Sequence, residues 1–161
     1  MKVLFAAALL FVALFPAGPA DAAVPGFDSQ YAGESSFQSA SGAPEPHTNT
    51  VFFFNAGTVP WIKHTASEVV LAVCLDDKVT CNVESPLYAW SAGLWPSRRV
   101  YATQLQQVVQ PGQLATFTWF FHSPPDVVSG QYVFHGDLMH AATGAMVHPE
   151  GYFHIITCSC P

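Results

Sequence analysis

The sequence predicts an all-β, antiparallel β-sandwich behind an N-terminal leader. Three observations carry this expectation. Beyond residue 48 the chain divides into short runs of β-branched and aromatic residues, each closed by Gly, Pro, Asn or Ser. One run, "QLATFTWFF", alternates: Ala115, Phe117, Trp119 and Phe121 share one face, and Thr116 and Thr118 lie on the other. No stretch beyond the leader keeps a helical apolar period over several turns. Short strands separated by turn signals bury one face each by stacking two sheets.

The first 23 residues read as a secretory signal peptide. Met1-Lys2 is followed by an unbroken apolar run from Val3 to Phe15, then Pro16, Gly18 and Pro19, and a small-x-small site at Ala20-Asp21-Ala22. The run is shorter than a membrane span requires, and no transmembrane segment is expected elsewhere. The protein is therefore expected to be secreted or otherwise extracytoplasmic, in the periplasm or at the cell surface. Residues 24–48, rich in Ser, Gly, Ala and Pro, read as a flexible arm. Residues 49–157 form the sandwich, and 158–161 a short tail.

Within the sandwich, "TVFFF" is the first strand and stops at Asn55-Ala56-Gly57. "SEVVLAV" is the second, and "RVYATQLQQVV" the third, ending before Pro111-Gly112. "QLATFTWFF" is the fourth. "QYVFHGDLM" is the fifth, with Tyr132, Phe134 and Leu138 on one face. "GYFHIIT" is the last, with Phe153, Ile155 and Thr157 aligned.

Export makes disulfides persistent. Cys74 and Cys81 flank "LDDKVT", a hairpin tip, and are expected to pair across it. So short a loop contributes about 2.5 kcal/mol in the loop-entropy model. The pairing of Cys158 and Cys160 stays open, because spacing alone does not choose among the possible connectivities.

Composition excludes one class of partner. Beyond the leader the only basic residues are Lys63, Lys78, Arg98 and Arg99, and the whole chain has a formal net charge of −6. Nucleic-acid binding needs clustered Lys and Arg along a face, so no nucleic acid is expected.

One motif carries a family resemblance. Asn55-x-Gly57-Thr58-x-Pro60-Trp61 resembles the N-x-G-T-x-x-W signature of the four-tryptophan Ig-like domain of autophagy cargo receptors, with related copies in bacterial secreted proteins. Val109-x-Pro111-Gly112 is similar to that family's turn before its long apolar strand. Ser123-Pro124 through Gly130-x-Tyr132 is similar to its "A-P … G-x-Y" passage, and Leu138, Gly144 and "GYFHIIT" fit its closing hairpin. The likeness spans roughly residues 49–157. It departs at the tryptophans: only Trp61 sits where the family pattern has one, whereas the positions of two others hold Val51 and Gly136. The resemblance implies an Ig-like antiparallel β-sandwich and, in the family, surfaces used for protein recognition. Asn55, Gly57, Thr58, Pro60, Trp61, Pro111 and Gly112 are thus expected to be structural. The Asn-Gly turn is expected to use left-handed backbone, with the Trp61 indole capping one end of the sandwich. The alternative is a surface aromatic used in binding.

The segment "SPLYAWSAGLWPSRR" is the candidate contact surface, through Tyr88, Trp90, Trp95, Arg98 and Arg99. Aromatic and Arg side chains combine apolar area with a polar handle and dominate binding surfaces. The competing reading is that the aromatics plug the sandwich. These residues point to a non-catalytic binding or adhesion module for a protein or glycan. A first alternative is an extracytoplasmic Cu or Zn site of His135, Asp137 and His154, since neutral imidazoles are metal ligands. A second is a structural subunit of an envelope assembly. No nucleophile elbow or phosphate loop is present, so neither enzymatic activity nor a cofactor is expected.

Overall fold

Alternating burial builds the first sheet. In the computed structural model, which describes residues 24–35, 39–40 and 46–159, strand β8 (Leu114–Phe121) buries Ala115, Phe117, Trp119 and Phe121 while the intervening residues stay half-buried or exposed. Strand β3 (His47–Asn55) does the same with Asn49, Val51, Phe53 and Asn55. The two pair antiparallel along their length, from His47 opposite Phe121 to Phe54 opposite Leu114. Strand β1 (Ser29–Glu34) adds antiparallel to β3 and completes a three-stranded sheet.

The second sheet contains β2 (Ser39–Ala40), β5 (Val69–Val73), β6 (Val100–Thr103), β9 (Gly130–His140) and β10 (Tyr152–Cys158), in the order β2-β10-β9-β5-β6. All its pairings are antiparallel except the short parallel one between β2 and β10. A two-stranded ribbon joins β4 (Trp61–Ile62) to β7 (Val108–Val109). The layers form an antiparallel β-sandwich. Its core is aromatic: Phe53, Phe117, Trp119 and Phe121 from one side meet Leu71, Phe134, Leu138 and Ile156 from the other. Trp119 and Phe134 lie 5.1 Å apart, ring to ring, within the range where such pairs add to simple area burial. Among the described residues the helical content is one 3-10 turn, Tyr88–Ser91, and no helix is long and apolar enough to cross a membrane.

Cys74 and Cys81 are bridged. Between them Leu75 N donates to Thr80 O at 2.9 Å, and Asp77 accepts the Val79 and Thr80 amides, so the tip is a closed hairpin. The leader and Cys160 lie outside the described residues.

Three expectations are corrected. Part of the segment read as a flexible arm is folded: Phe27 is buried, Ser29–Glu34 is β1, and β3 begins at His47. Composition hid β1 because it is a bulged edge strand, with a register shift between Tyr31 and Gly33, and no alternating apolar face. The third run is not one strand. At Gln104 the chain leaves β5 and bridges toward Phe117 of β8, while Val108–Val109 pairs with Trp61–Ile62. Gln104 is fully buried and its side-chain NH2 donates to Trp61 O (3.2 Å) and Gln106 O (3.0 Å), which anchors the crossing. In the last strand Phe153, Ile155 and Thr157 do share a face, but it is the outward one, and the core receives Tyr152, His154, Ile156 and Cys158. The polar groups of Tyr152 and His154 are buried because Glu34 receives them.

Candidate functional site

Asn55 organises the end of the sandwich where the family-like motif lies. Its side-chain amide donates to Val59 O and Val109 O, both at 3.0 Å, and its side-chain oxygen accepts the Gly57 amide at 3.1 Å. Its backbone carbonyl accepts Gly112 N at 2.7 Å. One buried side chain thus ties the turn after β3 to the Val109–Gly112 turn. Gly112 has φ of 78°, the left-handed backbone expected of a turn glycine. Gly57 serves differently: a Cβ there would fall 2.3 Å from Gly26 O and 2.7 Å from Asp28 N. It is needed for close approach, not for a positive φ. Thr58 is exposed and Pro60 half-buried, with Thr58 N donating to Gly26 O at 2.8 Å. Trp61 has no exposed surface and belongs to the core.

The expected contact segment divides by depth. Trp90 and Trp95 are both buried. Trp90 packs on Tyr132, with centroids 4.5 Å apart. Trp95 packs on Tyr101 at 4.6 Å and donates its indole N–H to Phe120 O at 2.6 Å. Neither indole is presented to a partner, because the loop folds back over the gap between the sheets. Tyr88 is half-buried, and Arg98 and Arg99 are exposed. The Arg98 guanidinium lies 4.6 Å from the centre of the Tyr88 ring, and Arg99 donates to Asn82 O at 3.3 Å.

The same segment walls a groove of about 510 Å³. Leu75, Asp76, Pro86 and Leu87 stand on one side, with Gln131, Val133 and His135 of β9 on the other. Tyr101 and Tyr132 contribute from the aromatic core behind it. The disulfide-bridged hairpin and the Ser85–Arg98 backbone hydrogen bond of 2.9 Å fix the first wall. Burial, aided by the Lys78 charge and opposed by that of Asp76, pulls the His135 pKa below the usual imidazole value. The ring thus faces the site neutral, able to donate and accept. The sequence carried no sign of this groove, because it depends on the pairing of the long β9 with the shorter β5.

His135, Asp137 and His154 do not converge. His135 pairs with Phe153 and His154 with Phe134, and paired residues project to the same face. His154 therefore points into the core, whereas His135 and Asp137 point away from it. Among the described residues no three His, Cys, Asp or Glu groups are placed to hold a metal. Asp137 instead accepts the amides of Leu138 (2.8 Å), Glu150 (2.6 Å) and Gly151 (2.8 Å). Burial raises its pKa despite those bonds.

A second recess of about 390 Å³ lies beside Tyr31, Glu34, Glu150 and Tyr152. Its carboxylates act as clamps. Glu150 accepts Ser29 Oγ at 3.0 Å and the Tyr31 amide, and Glu34 accepts Tyr152 Oη and His154 Nδ1, each at 2.9 Å. Asp28 meets His148 at 2.8 Å. All of these hold the β1 segment against β10 and the loop before it.

No protein-family model matches the chain, and no curated protein matches it. The resemblance to the four-tryptophan domain stands on its motif residues alone.

Proposed function

We propose that the chain is an extracytoplasmic, non-catalytic binding module that takes a protein or glycan ligand in the groove between the 75–87 segment and β9. The groove itself carries this reading. It is open, apolar with aromatic backing, and furnished with a few polar groups in Asp76, Gln131 and His135, the mixture typical of ligand sites. Its outer wall is braced by the Cys74–Cys81 bridge, a bond suited to an oxidising compartment. The signal-like leader and the protein-recognition role of the four-tryptophan family point the same way. The metal alternative loses its three-ligand set, and the strongly held carboxylates are engaged in structure rather than facing the groove.

Displayed libraries of short peptides and glycans, probed with the full chain and with Leu87→Glu, test this reading. Binding to either class that Leu87→Glu abolishes, with unfolding unchanged, supports the groove. No binding to either class, or binding that Leu87→Glu leaves intact, overturns it.

A further inference from the structure

We propose that the ligand of this groove is an extended polypeptide segment of a partner protein, which adds as a strand to the free edge of β9 and carries a basic side chain to Asp76. The inference rests on reading the groove as the binding site.

The strands of the second sheet are unequal. β9 has 11 residues and β5 has 5. β5 covers β9 only from His140, opposite Val69, to Gly136, opposite Val73. β10 covers the other edge from Gly136 to Gly130. The last bond on the β5 side is Cys74 N to His135 O, at 2.9 Å. Tyr101 Oη also donates to that carbonyl at 3.0 Å, so His135 O is fully used. Beyond it β5 has no continuation along β9, because Leu75 turns back to Thr80 in the bridged hairpin.

In an antiparallel strand both main-chain groups of a residue point to the same side, and successive residues alternate. Val133 and Gln131 therefore aim their N–H and C=O groups as His135 does, into the groove. Among the described residues no backbone group meets them. Both residues are exposed, Val133 at 37%.

Donors and acceptors alternating at strand spacing match an extended peptide backbone, with the groove beside them for side chains. A sugar ring has no such repeat. A second copy pairing through the same edge is disfavoured by charge, since each chain carries a formal −6. Asp76 stands on the groove wall opposite β9 and is exposed. A basic side chain on the peptide complements it.

The test uses the full chain against a displayed library of short linear peptides. Val133→Pro removes one N–H that faces the groove, while the β9–β10 ladder runs through Tyr132 and Phe134. Val133→Ala is its control, and thermal unfolding checks both. Selected peptides are expected to contain Lys or Arg, to lose that preference against Asp76→Lys, and to bind about tenfold more weakly to Val133→Pro than to Val133→Ala. N-methylation along a selected peptide is expected to weaken binding at every second position only, a readout independent of any variant. An N-methylation scan without that period overturns the proposal. So does peptide binding indifferent to both Val133→Pro and Asp76→Lys. Self-association of the chain that Val133→Pro abolishes overturns it in favour of a second copy. Glycan binding that Leu87→Glu abolishes, with no peptide selected, overturns it and leaves the groove reading standing. Binding of neither ligand class sinks both.

Discussion

Glu34 Oε2 lies 2.9 Å from His154 Nδ1 and joins the edge strand of one sheet to the interior of the other. The same oxygen accepts the Tyr152 hydroxyl, which in turn accepts the Asn49 amide, each contact being 2.9 Å. His154 is fully buried, and the carboxylate gives its ring N–H an acceptor. A polar chain thus crosses the sandwich where sequence alternation alone suggests apolar packing.

This contact predicts how stability follows pH. Burial would raise the Glu34 pKa, but the hydrogen bonds from His154 and Tyr152 outweigh it and hold the carboxyl below its ordinary value. A depressed carboxyl contributes stability that is fully present above the ordinary carboxylate range and lost as pH falls through the folded-state pKa. Glu34→Gln should lower the melting temperature at neutral pH and flatten its decline in acid. Thermal unfolding across the acid range checks this, and parallel curves for the two proteins would count against it.

Gly57 predicts a steric failure rather than a conformational one. Gly57→Ala would place a methyl 2.3 Å from Gly26 O, and the 26–28 segment would have to move. Overpacking of this kind costs about 1–3 kcal/mol. Denaturant unfolding should show the loss. Hydrogen exchange should show early opening at Ala56 and Thr58, whose amides bond to Asp28 O and Gly26 O.

Trp95 and Arg98 lie three residues apart in sequence and should behave oppositely. Trp95 is 4% exposed and touches Tyr88, Tyr101 and Trp119. Trp95→Ala is expected to cost about 3–5 kcal/mol, as large-to-small core substitutions do. Arg98→Ala removes an exposed cation over Tyr88 and should cost at most about 1 kcal/mol. Denaturant midpoints decide it. Equal, small losses would mean that the Trp95 indole is not a core residue in solution.

Much of the sandwich was legible because its signals are local. The inward set of β8 follows from period-two alternation. The Cys74–Cys81 bridge follows from two cysteines flanking a turn. The site was less legible. Trp90 and Trp95 have the composition of a binding surface, but nothing in their neighbours says which way the loop folds. His135 and His154 look like partners until the register of β9 against β10 puts them on opposite faces.

Local signals alone place most of the strands, the turns that close several of them, and the two cysteines that meet across a hairpin. These depend on residues a few positions apart, where side-chain alternation and turn chemistry act directly. Long-range contacts make Ser29–Glu34 a strand, because its anchors Glu150, Tyr152 and His154 lie more than a hundred residues away. Assembly of the second sheet likewise leaves Gln131 and Val133 at a free edge. That edge is the difference between the lengths of two strands and the path of a bridged hairpin. Such differences arise only when distant segments are brought together, since register and burial are properties of pairs rather than of a single run of residues.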